Sequence, residues 1–249
     1  MIDDLQVHRQ SASEVARTND VMALLPLGRK SILDVGARDG HFSRLFTGRF
    51  ETVVALDLIQ PGWDYPGVET VQGDITKLEF PDRAFDCVFC AEVLEHIPDL
   101  HSACRELQRV CRHDLVIGVP FRQDLRFGRT TCRSCRAVNP PWGHVNSFTL
   151  QRLQSLFPDC AVKHVSYVGE TRAATNPVSA FLMDVAGNPW GVYNQKEPCL
   201  RCGQPIARPP ARRGVLSRAC SFAAHRINQM QLRLASPHAN WIHVLFEKR

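Results

Sequence analysis

The 249-residue sequence has no apolar run approaching the roughly 20 residues that cross a bilayer, and no apolar stretch near its N-terminus of the kind a secretory signal carries. A membrane-spanning or secreted protein is therefore not expected, and a cytoplasmic one is. No low-complexity tract appears, and the only internal repetition is a Cys-x-x-Cys pair that occurs twice, which sets aside repeat architectures. From Pro198 to Phe246 there is no acidic residue, while Arg201, Arg208, Arg212, Arg213, Arg218, Arg226 and Arg233 all fall inside that stretch. An anionic partner suits such a segment. The basic residues are not interleaved with aromatic ones, and the net charge is only +5, so a surface that tracks many phosphates of a nucleic acid is disfavoured. In a reducing compartment, ten cysteines point to metal ligation or burial rather than to a disulfide framework. With 44% hydrophobic residues, the chain can bury one sizeable core with at most a small appended module.

Ser31 to Asp57 organise the rest. A short apolar run closes on Gly36 and Gly40, a helical run follows through Leu45 and Phe46, and a second apolar run, Thr-Val-Val-Ala-Leu, ends at Asp57. This is a strand, turn, helix, strand unit of a parallel sheet, and such units bind nucleotides at the first turn. The two glycines let backbone approach a ligand, and a carboxylate at the tip of the second strand can accept from both hydroxyls of a ribose. A dinucleotide cradle needs Gly-x-Gly-x-x-Gly, whereas Arg38 and His41 occupy its second and third glycine positions. Asp34, just before the turn, would repel a pyrophosphate but could accept from an ammonium group.

Asp34-Val-Gly36-Ala-Arg38-Asp-Gly40, with Asp57 beyond it, resembles motif I of the class I S-adenosylmethionine (SAM) dependent methyltransferases. The resemblance implies an α/β, Rossmann-like fold with a seven-stranded, mostly parallel sheet and an antiparallel last strand. It also implies SAM as cofactor, with Asp34, Gly36, Ala37, Arg38, Gly40, Asp57, Leu58, Asp74, Ile75 and Ala91 around it. Arg38 stands where the family has its middle glycine; either the turn tolerates a side chain there or Arg38 holds the SAM carboxylate. Asp74 is the residue expected to accept from the adenine amino group, the alternative being that it caps the next turn. Glu92-Val-Leu-Glu95-His96-Ile recurs in small-molecule members of the family.

Along the chain, Ser11 with Glu14 reads as a capping box for a helix through Leu25 that covers an edge of the SAM cleft. Cys87 and Cys90, three apart on a strand, point to opposite faces as core thiols, and Cys104 and Cys111 read as sharing one buried helix face. Leu115 to Phe121 is a fifth strand, Phe148 to Phe157 an amphipathic helix and Val162 to Val168 a sixth strand; the last strand is Trp241 to Glu247. The reading is one methyltransferase domain over 1–249, with inserts at 122–146 and 170–238 that form a zinc-stapled substrate or lid subdomain. Pro205 to Pro210 reads as a short linker. The second insert contains a helix from Val215 to Leu234 with Val215, Ala219, Phe222, Ile227, Met230 and Leu234 as its apolar stripe. The favoured reading packs that stripe on the core; the other lays it on a membrane surface.

Cys132, Cys135, Cys199 and Cys202 form two knuckles that together supply the four thiolates of a closed structural zinc site. Glu92, Glu95 and His96 admit a metal-assisted reading, since Glu92 and Glu95 share a face if a helix has begun there. His144, in Gly143-His144 before the helix after the fifth strand, is the candidate general base, with His96 and Glu92 as further catalytic candidates. The alternative has His144 cap that helix. Trp142, Trp190 and Tyr193 either wall the acceptor or close the zinc module. The order of Val-Pro, Cys-x-x-Cys, Trp-Gly-His and second Cys-x-x-Cys resembles methyltransferases encoded among glycan and natural-product genes. That resemblance implies O-methylation of a small-molecule acceptor, a sugar or a phosphate-bearing metabolite. An RNA methyltransferase and a non-catalytic, zinc-held interaction module are the alternatives.

Overall fold

A computed structural model describes residues 9–209 and 214–249; Pro210, Arg212 and Arg213, named above, lie outside the described residues. The chain divides into two units. One comprises the chain up to Phe121 with Phe148–Gly169 and Ala239–Arg249, the other Arg122–Ser147 with Glu170–His238.

The first unit is built on seven strands: β1 (Ser31–Val35), β2 (Thr52–Asp57), β3 (Val68–Gln72), β4 (Phe85–Ala91), β5 (Cys111–Pro120), β8 (Cys160–Val168) and β9 (Trp241–Lys248). They lie in the order β3-β2-β1-β4-β5-β9-β8. The first five run parallel, and β9 pairs antiparallel with both β5 and β8. The central strands are apolar along their length because both faces are covered. On one face Phe42 and Phe46 of α2 (His41–Phe46) meet Phe89 at 5.0 and 5.1 Å, and Val21 of α1 (Ala12–Leu24) joins them. On the other, Ala103, Cys104 and Leu107 of α3 (Leu100–Val110) pack with Leu153 of α4 (Leu150–Leu156). Cys87 belongs to the first core and Cys90 to the second, as the strand period requires.

Ser11 Oγ accepts from Glu14 N at 3.4 Å and starts α1 where expected. Cys111 does not share a helix with Cys104: α3 stops at Val110 and Cys111 opens β5, although both thiols are buried in one core. The helix expected from Phe148 is only Leu150–Leu156. Thr149 caps it, accepting from Arg152 N, and Phe148 and Phe157 are core residues at either end. Between β4 and α3 there is only a 3-10 turn, Leu94–His96, and Glu92 has φ +58°, so Glu92 and Glu95 do not share a helix face.

The second unit contains the short pair β6 (Thr130–Thr131) and β7 (Val138–Asn139), a 3-10 turn at Pro141–Gly143, α5 (Pro177–Val185) and α6 (Val215–Leu234). The expected packing of α6 is overturned. Phe222 is 67% exposed and Leu234 88%, and Val215 and Met230 are exposed as well. The face turned inward carries Ser217, Ser221, Ala224, Asn228 and Gln231. Asn228 Oδ1 accepts from Thr175 Oγ1 and Gln231 Oε1 from Asn176 Nδ2, both at 2.8 Å, while Ser217 Oγ donates to Ala186 O at 2.9 Å. These polar partners fix the face that hydropathy alone would have turned outward.

Candidate active site and metal centre

The strand order reverses between β1 and β4, and a crevice opens at the carboxyl ends of strands where two neighbours' connections leave in opposite directions. That is where the loop after β1 lies. Gly36, Arg38 and Gly40 all have positive φ, at 81°, 47° and 72°. A Cβ at Gly36 would stand 2.2 Å from Val93 Cγ2, and one at Gly40 2.5 Å from the Trp63 indole, so only glycine fits either position. Arg38 takes a left-handed conformation that costs an ordinary residue about 1 kcal/mol. Two bonds hold it: Arg38 N donates to Asp57 Oδ2 and Trp63 Nε1 donates to Arg38 O, both at 2.8 Å. The turn therefore tolerates a side chain where a glycine was expected.

Asp57 sits at the tip of β2. Its Oδ2 takes Arg38 N and its Oδ1 takes Ile59 N at 3.4 Å, so each oxygen keeps a further acceptor site. Asp34 is 2% exposed, and Ser43 Oγ donates to it at 2.5 Å. Burial pushes its carboxyl up to about 7; the Ser43 hydrogen bond opposes this and the charges of Asp39 and Asp57 add to it. Asp34, Gly36, Ala37, Arg38, Ala91 and Glu92 line one cavity of about 150 Å³. Of the other residues expected at the cofactor, Leu58 is exposed beside Asp57, whereas Ile75 points its side chain into the core. Asp74 Oδ1 accepts from Thr76 N and Thr76 Oγ1, both at 2.8 Å, and so caps the turn after β3.

Sequence reasoning missed the charged wall of this cavity. Arg9, Glu14, Arg17, Asp39 and His41 also line it. Arg17 binds Glu14 through Nη2 at 2.8 Å and lies over the rings of Phe42 and Trp241. A Glu and an Arg three apart on a helix look like a solvated pair, and nothing in their spacing tells that both are buried. Glu92 Oε1 is buried in the same wall without a hydrogen-bond partner. Burial raises the Glu92 pKa against the pull of Arg17. Glu95 is raised further, by its own burial and by the Glu92 charge.

His96 closes the 3-10 turn of the first unit. In the second unit His144 is 8% exposed, with Nδ1 2.6 Å from Gln123 Oε1. Opposite an amide oxygen, Nδ1 donates and Nε2 carries the lone pair. Tyr193 OH accepts from Thr131 N at 3.1 Å and packs on the cysteine cluster, while Trp190 is exposed and stacks on His225.

The four knuckle cysteines converge. Cys132 and Cys202 sulfurs are 3.7 Å apart, Cys135 and Cys199 sulfurs 3.6 Å, and all four lie within 4.8 Å of one another. Thiolates around one tetrahedral Zn²⁺ at about 2.3 Å would be about 3.8 Å apart. The two knuckles repeat one geometry. Cys132 N donates to Ala137 O and Cys199 N to Gln204 O, each at 2.9 Å, and Arg136 and Gly203 have φ of 61° and 69°. Burial pushes the Cys199 thiol up, but the N–H groups of Arg201 and Cys202 and the side chain of Asn139 outweigh it and bring the thiol down to about 6. The cluster could hold a metal ion.

Residues 33–117 match the methyltransferase domain family. A seven-stranded sheet with this order, carrying this loop at its switch point, agrees with that match. The chain has the fold of a SAM-dependent methyltransferase. Against the S-adenosylmethionine-dependent methyltransferase of Mesorhizobium loti the TM-score is 0.53 at 13% identity, over 96% of this chain and 99% of that one. The probable S-adenosylmethionine-dependent methyltransferase Rv3030 of Mycobacterium tuberculosis is 27% identical over 179 residues, covering 65% of this chain and 63% of its own. The malonyl-(acyl-carrier protein) O-methyltransferase of Serratia marcescens is 30% identical over 165 residues, 62% of this chain and 61% of its own. This chain thus spans less than two thirds of the length of these curated relatives. Among the described residues, no helix is long and apolar enough to cross a membrane.

Proposed function

We propose that the protein binds SAM in the crevice between β1 and β4 and methylates a hydroxyl of a saccharide or a similar small-molecule metabolite. The observation that carries this reading is the Asp57 carboxylate, tied to Arg38 N and Ile59 N at the strand tip and still able to accept from a diol. Asp34 and Glu92 supply acceptors for an ammonium group, and the unpartnered Glu92 Oε1 suits one. This turns Glu92 from a catalytic candidate into a cofactor-facing one. Leu58 offers exposed apolar surface for a base, and Asp74 keeps an oxygen beyond the one used in its turn. SAM, when bound, supplies a methyl group already activated on a sulfonium.

The chain must then align a nucleophile and take one proton from it. His144 is the base in this reading, since Gln123 Oε1, 2.6 Å from Nδ1, favours the tautomer with its proton on Nδ1 and its lone pair on Nε2. His96 is the next candidate. The four cysteines hold a structural zinc with every position filled by protein, leaving it no catalytic role. The acceptor class follows the resemblance of the knuckle and Trp-Gly-His arrangement to glycan and natural-product methyltransferases.

Calorimetry with SAM and transfer of labelled methyl to cell extracts fractionated into sugars, lipids and RNA test the proposal. Label in a saccharide or small-metabolite fraction is expected. Absence of SAM binding would remove the cofactor assignment, and label in RNA would replace the acceptor.

A further inference from the structure

The two helices of the second unit are built inside out. On α5, Val178, Phe181 and Val185 are exposed, while Ser179 and Ala180 are buried. On α6 the outward residues are Val215, Leu216, Phe222, Met230 and Leu234, and the inward ones are the hydrogen-bonded serines, Asn228 and Gln231 described above. At 100° per residue, both arginines fall on the outward face of α6, Arg226 between Val215 and Met230 and Arg233 in line with Val215, and both are exposed. A helix that turns small and polar residues inward and large apolar ones outward leaves its apolar face for something outside the chain.

The charges identify what that is. No acidic residue occurs from Pro198 to Phe246, and the one acid of α5, Asp184, is held by Arg129 at 3.0 Å and by Asn188. A second copy docked face to face would set Arg226 and Arg233 against the same arginines with no carboxylate between them. An occupant that is apolar in depth and anionic at its surface suits both features. Phospholipid provides that layering: apolar side chains enter the acyl boundary, and arginine stems carry their guanidinium groups back to the phosphates. We infer that α5 and α6 dock this protein on an anionic lipid surface, with α6 lying in the plane of the interface. Docking through these two helices stands apart from what the cofactor cleft does, and either can fail without the other.

Co-sedimentation of the full chain with phosphatidylcholine vesicles, with and without phosphatidylglycerol, tests this. Retention is expected on the phosphatidylglycerol vesicles and should weaken as salt is raised. Arg226→Gln and Arg233→Gln should each lower the partition coefficient about fivefold. Phe222→Glu should lower it by about tenfold or more, while SAM affinity and melting temperature stay at the wild-type value. A chain that remains in the supernatant with both vesicles would overturn the inference, as would retention that Phe222→Glu leaves unchanged. So would a homodimer in light scattering that Phe222→Glu dissolves, because the face would then belong to a second copy. A complex with an acidic protein, lost in the same variant while vesicles are not bound, would assign it to that partner.

Discussion

The two units solve the burial problem in opposite ways. In the first, apolar strands are covered on one face by the phenylalanines of α2 and on the other by α3 and α4, so cohesion comes from apolar area. In the second, the buried apolar residues among those described are small or few: Ala180, Ala186, Ala224, Cys132, Cys199 and Ile206. Its remaining order is polar. Asn188 Nδ2 donates to Thr131 Oγ1 at 3.1 Å and to Asp184 Oδ1 at 3.0 Å, and Asn139 ties the two knuckles by accepting from Leu200 N at 2.9 Å. A unit that buries so little needs a staple, and the four sulfurs are placed to hold one.

Removing that staple is the largest break available. Structural zinc contributes about 10–16 kcal/mol of apparent folding free energy in small modules. Cys202→Ser, or a strong chelator, should therefore empty the site and melt the second unit while the sheet keeps its far-ultraviolet dichroism. Metal analysis should give one zinc per wild-type chain. Protein purified under reducing conditions without metal, yet with both units folded, would refute the staple.

Asp57→Ala breaks the other unit at a point. Charge-assisted hydrogen bonds to a ligand contribute about 1.5–3 kcal/mol each, so loss of the carboxylate should weaken SAM binding by a hundredfold or more. Because Asp57 also holds Arg38 N, Asp57→Asn serves as the control that keeps an acceptor on the loop. Unchanged affinity in calorimetry for both variants would show that the ribose does not meet this strand tip.

The legibility of the chain follows the same division. The individual strands, the glycine loop and the knuckle pairs could be read because each rests on a local requirement: alternate faces, positive φ, thiolates three apart. Trp63 could not, because its role is to donate to Arg38 O from 25 residues away. Nor could the Arg17–Glu14 wall, whose burial is set by the elements that cover it. The stripe of α6 faces outward against the sequence expectation for a physical reason: amphipathic periodicity fixes which residues share a face but not which face turns inward. Asp74 shows the converse, since one short side chain can cap a turn and still offer an oxygen to a ligand.

His144 tests the second unit as chemistry rather than as scaffold. As the general base, His144→Ala should lower turnover roughly a hundredfold while SAM affinity and melting temperature hold. Gln123→Leu should lower turnover less, and should shift the pH profile, because it frees the tautomer instead of removing the base. If His144→Ala loses only stability, the residue serves the fold and His96 becomes the base to test.

The smallest effect is a proton at Asp34. Its carboxyl is raised from the ordinary 3.8 to about 7, so the folded chain without ligand binds this proton more tightly than the unfolded chain does. The sign follows from linkage. As pH climbs from about 4 through about 7, the unfolded state has already given up its proton, and this group's contribution to stability falls. Binding runs the other way. If Asp34 accepts from the ammonium group of SAM it must be ionised, so affinity should rise about tenfold per pH unit below 7 and level off above it. Calorimetry near pH 6 in buffers of different ionisation enthalpy should then register a proton released on binding. Asp34→Asn should flatten the profile at the weaker, low-pH affinity. A wild-type affinity that is flat from pH 6 to 8 would mean that the ammonium group does not meet Asp34, and Glu92, on the same wall, would be the carboxylate to exchange next.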